Sequence, residues 1–342
     1  MSTVHGSVLI TGGSGFIGGY VARTLLREGR HVVCYDPRPP TPEVGFVLGE
    51  VAQGYVYERG GVEDWGHLLE VCQRVKPDAV VHAGAIVDTT WLSHHPLPAF
   101  QVNAGGTINV LECARLLGVP RVVMISSIGV LPSVRYQPID VNHPLILARE
   151  GSGSGFYGAA KVASEAFGFA YLSGFGVDFR VVRPSAPYGF AMGWPMFVKP
   201  MVEGAVRGES VRFATGGPFP RSYTHIEDLT SLIVGVLDAP EEVDRVFYGA
   251  HGGALTTAAE VAAIVRDLVP GADIEIGDEL TEADRYELSF RAPLSMGNAR
   301  QQLGWSPRYP EMRAGIAEYI ERYRNFLASG RHGAGPAAGS RS

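Results

Sequence analysis

Tyr157 and Lys161 stand four residues apart in Tyr157-Gly-Ala-Ala-Lys161. On a helix this spacing puts both side chains on one face. An ammonium beside a phenol favours the phenolate and lowers its pKa from about 10. A tyrosine tuned in this way takes the proton of an alcohol while hydride leaves the carbinol carbon. The same pair also occurs on ordinary helix surfaces, and the residues upstream separate the two readings. Arg121–Ser126 reads as a strand that runs into Ser126-Ser127-Ile128-Gly129-Val130. A serine at the carboxyl end of a strand in an open α/β sheet points into the ligand crevice, although serines in such places also serve as turn formers.

Hydride needs an acceptor, and the amino-terminal stretch offers a place for one. Val8-Leu9-Ile10 reads as a buried parallel strand, Ile17 to Glu28 carries helical apolar spacing, and Gly12, Gly15 and Gly18 lie between and at the join. Gly12 allows the turn, Gly15 lets the backbone approach a pyrophosphate, and Gly18 lets helix and strand pack closely. Phe16 and Ile17 lie at the start of that stretch, where the first N–H groups and positive dipole end of a helix suit phosphate. A second strand, His31–Tyr35, ends in Asp36, about 20 residues on, where an acid for the ribose hydroxyls is expected. Asp36 repels a 2′-phosphate and points to NAD over NADP, while Arg38 close by is able to accommodate that phosphate.

The elements that position these residues alternate. Strand candidates are Val8–Ile10, His31–Tyr35, Tyr55–Glu58, Ala79–His82, Arg121–Ser126 and Asp178–Arg183, with helical stretches such as Trp65–Arg74 and Leu97–Leu117 between them. The alternation predicts an α/β fold, a doubly wound parallel sheet of Rossmann type. After Tyr188 strands shorten and Pro and Gly become frequent, as in Gly216-Gly217-Pro218, with one clear helix start at Thr257-Ala-Ala-Glu260, a capping-box pattern. The expected organisation is a cofactor domain over 1–186, a smaller α/β substrate lobe over 187–329 interleaved with it, and a disordered Gly/Ala/Ser/Arg tail over 330–342. Pro132 to Gly155 has two readings, a lid over the crevice or an ordinary solvent loop.

Composition narrows the function classes. The 342 residues are 46% hydrophobic with a formal charge of −6, and no Lys/Arg run appears, which argues against nucleic acid and anionic membrane as partners. No apolar run reaches the ~20 residues of a membrane span. Met1 to Ser7 has no secretory pattern. Cys34, Cys72 and Cys113 lack paired spacing and read as reduced, packed thiols of a cytoplasmic protein. Ten histidines show no ligand spacing, so no metal is expected.

Taken together, the motifs have a familiar order. Thr11-Gly-Gly-Ser-Gly-Phe-Ile-Gly18, His82-Ala-Gly-Ala85, Asn103 with Gly106-Thr107 and Asn109, Ser126-Ser127, Tyr157 to Lys161, Arg183-Pro184 with Tyr188-Gly189, Arg221 with Tyr223 and Asp228, and Leu303-Gly304-Trp305 with Pro307 run from residue 7 to about 325. In this the chain resembles the extended short-chain dehydrogenase/reductase family, most of all its sugar epimerase/dehydratase branch. The resemblance implies that Tyr157 is the acid/base, that Lys161 tunes it and binds ribose, and that Ser127 holds the reacting oxygen. It implies further that Val62, the backbone of Ala83, Gly84 and Ala85, and Pro184 line the cofactor, NAD. Asn103 would support the active-site helix, and Arg183, Asn103, Asp228 and Trp305 read equally well as structural.

The departures bear on substrate. Dehydratases and decarboxylases of the family carry an acid just after the catalytic Ser/Thr, and Ile128 and Gly129 stand there instead. Ala186 replaces an Asn that touches a substrate phosphate in many members. Arg221 matches the family's phosphate-binding Arg, and its other reading is a salt bridge between lobes. Gly61 replaces an Asp that meets the adenine amine. The expected activity is therefore an NAD-dependent sugar epimerase working through a transient ketone on a nucleotide-sugar or other anionic sugar. The alternatives are a net dehydrogenase or ketoreductase on a smaller, non-nucleotide substrate and, with less support, a non-catalytic cofactor-binding protein. The apolar faces of Phe156 to Leu172 predict a homodimer.

Overall fold

Seven short runs rich in aliphatic and aromatic residues form one sheet. The computed structural model describes residues 6–131, 133–145 and 154–330. The strands are β1 (Ser7–Thr11), β2 (His31–Asp36), β3 (Tyr55–Arg59), β4 (Ala79–His82), β5 (Arg121–Ile125), β6 (Asp178–Pro184) and β7 (Val246–Gly249). Their order is β7-β6-β5-β4-β1-β2-β3 and every neighbouring pair is parallel. Because both faces are covered, the strands are nearly continuous apolar runs. Val8 and Ile10 pack in one core cluster and Leu9 in the other, as do Val32 and Cys34 against Val33 and Tyr35.

Six of these strands stand where the sequence places them, to within a residue at either end. The seventh, β7, was not foreseen. Its four residues, Val-Phe-Tyr-Gly, lie in the Pro/Gly-rich half and carry too little pattern to stand out. Helices α1 (Phe16–Arg27), α2 (Trp65–Val75), α3 (Gly106–Leu117), α4 (Gly155–Phe175) and α5 (Ile226–Asp238) flank the sheet, and a short α6 (Glu282–Leu288) lies in the second half. Both β7 and α5 come from within 187–329 and pack on the sheet. The capping box at Thr257 and Glu260 forms as its pattern predicts. The proposed tail beyond residue 330, and much of the Pro132–Gly155 segment, lie outside the described residues.

The helical stretch expected over Leu97–Leu117 forms, but not as one regular α-helix. Its first part is a π-helical stretch, Ala99–Gly105, and only α3 is regular. The widened turn frees Asn103, whose amide brackets Ile86, accepting from its N–H at 2.7 Å and donating to its carbonyl at 2.8 Å. The Asn103 carbonyl in turn accepts from Thr107 and, at 2.9 Å, from Ser164 on α4. A local loss of regularity thus ties the loop after β4 to α4.

Candidate active site

The residues with chemistry collect at the carboxyl edge of the sheet. Gly12 follows β1 with φ +69°, and a β-carbon there would lie 2.7 Å from the Gly84 backbone nitrogen, so only glycine lets the loops after β1 and β4 touch. At Gly18 a β-carbon would lie 2.2 Å from the Gly12 carbonyl oxygen, which explains the close helix–strand contact. No side chain caps the start of α1 and no acid lies in its first turn, so the helix end remains suited to an anion. Asp36 ends β2, buried, accepting from Ser14 N–H at 3.3 Å and Arg38 N–H at 3.0 Å. Burial pushes its carboxyl above the ordinary range against those two hydrogen bonds. Each oxygen keeps acceptor capacity for a ribose hydroxyl. These features fit a dinucleotide.

Phe16, Ile17, Ala83, Gly84 and Ala85 are half-buried around the same turn, and Val62 is buried where its carbonyl accepts from Asn109 at 2.9 Å. Pro184 is buried at the end of β6, beside Gly249 of β7. His82 bridges two hydroxyls, Thr11 at 2.7 Å and Thr107 at 2.9 Å. Burial, with the Lys161 charge, pulls its pKa down to about 3, so it is a neutral brace between β1 and α3. At the Gly61 position, where an acid is absent, the Glu63 carboxylate folds in: its oxygens lie 2.3 and 2.5 Å from where a Gly61 β-carbon would stand. An acid two residues on was the available signal.

Ser127, Tyr157 and Lys161 come together beyond β5. Ser127 accepts from Gly129 N–H at 2.9 Å, and its hydroxyl is near enough to the Tyr157 phenol to favour its ionised form. The Lys161 ammonium donates to the Ile125 carbonyl at 2.8 Å and lies 5.8 Å from the Tyr157 ring centroid. The expected depression of the tyrosine pKa is corrected here. Burial pushes Tyr157 up to about 12, against the opposing effect of Ser127. Burial also pulls Lys161 down to about 8, against the opposing charge of Glu165. The ammonium is tethered to the strand end beneath the ring, and desolvation of the phenolate outweighs it.

Ser126, paired with Ser127 in the sequence, turns away. Its hydroxyl donates to Glu165 at 2.5 Å, and Glu165 takes a two-pronged ion pair from Arg183 at 3.0 and 2.6 Å. Arg183 is therefore committed to a buried structural pair. Asp228 accepts from the N–H groups of Arg308 and Tyr309, and Trp305 donates to Ser231, so both are engaged within the fold. Glu165 was missed, though its place four residues after Lys161 on one helix face was readable. No acid stands at positions 128 and 129, and a β-carbon at Gly129 would lie 2.6 Å from the Ser154 hydroxyl oxygen, so that space is already filled.

Arg221 has a companion that the sequence did not suggest. Its guanidinium lies 4.7 Å from the Phe219 ring centroid, and that of Arg291 lies 5.9 Å from the same centroid. Arg221 and Glu287 approach only to 3.9 Å, whereas Arg291 and Glu287 meet at 2.6 Å. For Arg221 the salt-bridge reading meets only this loose contact, and Glu287 lies in the same half of the chain, so the contact bridges no two lobes. Arg291 lies seventy residues from Arg221 with no shared motif, and only folding pairs them.

Known proteins resemble the chain over most of its length. The model of the NAD dependent epimerase/dehydratase family matches residues 8–248. A UDP-glucose 4-epimerase of Mycolicibacterium smegmatis is 25% identical over 327 residues, 93% of this chain and 98% of that protein. Among solved structures, an epimerase of Methanothermobacter thermautotrophicus superposes with a TM-score of 0.82 at 20% identity, covering 96% of this chain and 95% of the other. A UDP-glucose 4-epimerase of Thermotoga maritima, with UDP-glucose, gives 0.80 at 23% identity over 94% and 99%.

Proposed function

The chain belongs to the NAD dependent epimerase/dehydratase family, and from that premise we propose that it is a nucleotide-sugar epimerase that retains its NAD. Relatives whose names describe UDP-glucose 4-epimerases support this reading over 93% of the chain. The observation that carries it is the Lys161 ammonium, tethered to the Ile125 carbonyl and 5.8 Å from the Tyr157 ring centroid, with Ser127 at the end of the same strand, at the sheet edge where the dinucleotide features lie. Bound NAD supplies a hydride acceptor that can return the hydride to the same carbon.

The chain's own residues do the rest. Tyr157 takes the hydroxyl proton of the reacting carbinol and returns it. Ser127 holds that oxygen, and the Lys161 charge steadies the phenolate when it forms. Gly12, Gly15, Phe16, Ile17 and Asp36 hold the dinucleotide, with Val62, Ala83, Gly84, Ala85 and Pro184 along it. Arg221, beside Arg291, holds the anionic part of the substrate while the sugar ring turns to present its other face. Ile128 and Gly129 provide no base for removing a proton at the neighbouring carbon, which favours epimerisation over elimination. On this reading residues 1–186 form the cofactor unit and 187–329 the interleaved substrate lobe.

A homodimer in the cytoplasm completes the reading. On α4 the polar residues Lys161, Ser164 and Glu165 face inward, while Phe156 and Phe167 are 47% and 48% exposed. Phe100 and Leu97, in the preceding helical region, are 63% and 62% exposed. A second copy covers such a surface. The three buried free thiols agree with a reducing compartment.

Ala186 favours a second reading. Its φ is +39°, and it offers no side-chain amide to a phosphate, which suits a smaller substrate turned over by net dehydrogenation. One experiment separates the two: UDP-sugars are supplied without added NAD and the product sugar is followed by NMR. Product under these conditions supports the epimerase. Turnover only with stoichiometric external NAD, with absorbance of the reduced cofactor accumulating, replaces it with the dehydrogenase.

A further inference from the structure

Two arginines and one carboxylate share a single seat in the second half of the chain. Arg221 and Arg291 both face the Phe219 ring, at 4.7 and 5.9 Å. One oxygen of Glu287 lies 2.6 Å from Arg291 and 3.9 Å from Arg221. Both cations are largely withdrawn from water, with side chains 21% and 11% exposed, whereas the Glu287 side chain is 37% exposed.

The seat is not saturated. Among the described residues, Nε of Arg221, Nε of Arg291 and the hydroxyl of Tyr223 are buried without a hydrogen-bond partner. Burial first, and Arg221 second, pull Arg291 below the ordinary arginine range. The same two arginines act against burial at the Tyr223 phenol. Two cations held this close repel, and one carboxylate offsets only one of them. The seat therefore keeps a net positive charge and unmatched donors, enough for a second anion.

Glu287 is built to yield. It sits near the end of α6, a seven-residue helix fixed at its start by the Thr281–Asp284 capping box. Its hold on the seat is the single short contact with Arg291, four residues along. Its exposure gives the carboxylate a short path to solvent. We propose that Glu287 is a displaceable internal anion: it occupies the arginine pair when no substrate is bound and competes with the substrate's phosphate groups for it. Glu287 thus sets the affinity of the seat and admits only ligands anionic enough to take its place. This rests on Arg221 being the substrate's anion anchor, as proposed above.

The test uses the full-length, NAD-loaded protein and two probes, UDP and uridine, titrated by calorimetry. Glu287→Gln keeps the shape and removes the charge. It is expected to tighten UDP by about tenfold, the size of one charge-assisted contact, and to leave uridine unchanged. The gain shrinks as salt is raised, because an exposed charge is screened. Unchanged or weaker UDP binding in Glu287→Gln, with Arg221→Ala still weakening UDP, overturns the role of Glu287 and leaves the anchor standing. Equal tightening of uridine also overturns it, since the effect is then not one of charge. If Arg221→Ala leaves UDP binding intact, the anchor itself is wrong and the inference falls with it.

Discussion

The two ends of β6 treat charge in opposite ways. At the amino end, Asp178 is ringed by Arg121, Arg180 and Arg245. Arg180 is fully buried, yet all of its donors are used: two to Asp178 at 3.0 and 2.9 Å, and the others to the carbonyls of Val236, Ala239 and Pro240. It clamps the carbonyl end of α5 to the sheet, where a cation also suits the helix dipole. At and beyond the carboxyl end, polar groups are left short of partners. Among the described residues, Ser185, next to Pro184, has a buried hydroxyl without one, as do Ser222 and Tyr223 on the facing segment. A buried polar group left unmatched costs stability, about 1–3 kcal/mol. The closed network holds the fold, and the open one retains valence for ligands.

The sharpest break in that comparison is at the open end. Tyr157→Phe removes one hydroxyl and keeps the ring, so turnover should fall by about 10²–10⁴-fold. Calorimetric NAD affinity and melting temperature should stay near those of the parent. Near-normal turnover would show that another group moves the proton.

Asp178→Ala breaks the closed end instead. Three arginines lose their shared carboxylate, and stability should fall by about 3–5 kcal/mol in chemical denaturation. Turnover per folded molecule should be retained. The effect has a pH signature. Burial pushes the Asp178 carboxyl up, but Arg180 and Arg121 outweigh it and hold it below the usual range. Its stabilisation is therefore complete above the unfolded carboxylate value near 3.9 and is lost as pH falls through the lower folded value. The gap between variant and parent should be full at pH 6 and narrow in strong acid. A gap that widens toward acid contradicts this assignment.

Arg221→Ala sits between the two extremes. It should weaken UDP-sugar binding by about 1.5–3 kcal/mol, the range for hydrogen bonds to a charged group. NAD affinity should not move, which calorimetry with each ligand separates.

The smallest effect is expected at Glu63. It is exposed, so Glu63→Ala should weaken NAD only about two- to fivefold, the scale of surface polar contacts. A larger loss would mean that its carboxylate meets the adenine in place of the acid absent at Gly61.

Much of this was legible in the chain. β1, β2, β4, β5 and β6 carry short apolar runs between turn formers, and a strand buried on both faces needs nothing more to reveal itself, while β3 shows by its Tyr-Val-Tyr run. Gly12, Gly15 and Gly18, Asp36, and the Tyr157–Lys161 spacing are local patterns, each set by a turn or one helix face. The π-helical stretch at Asn103 was not legible, because its bonds to Ile86 and Ser164 come from elsewhere in the chain. Neither was β7, whose place at the sheet edge depends on pairing with β6.

The sequence by itself determined where six of the seven strands lie along the chain, the glycine turn after β1 and the Tyr157–Lys161 spacing, because short-range sterics and spacing fix them. Only the tertiary structure decided how those residues are charged and partnered. It raised Tyr157 where spacing argued for lowering it, sent Ser126 to Glu165, and joined Arg221 to Arg291 and Glu287. The reason is that desolvation and pairing depend on what packs around a group from distant parts of the chain, and no local pattern contains that.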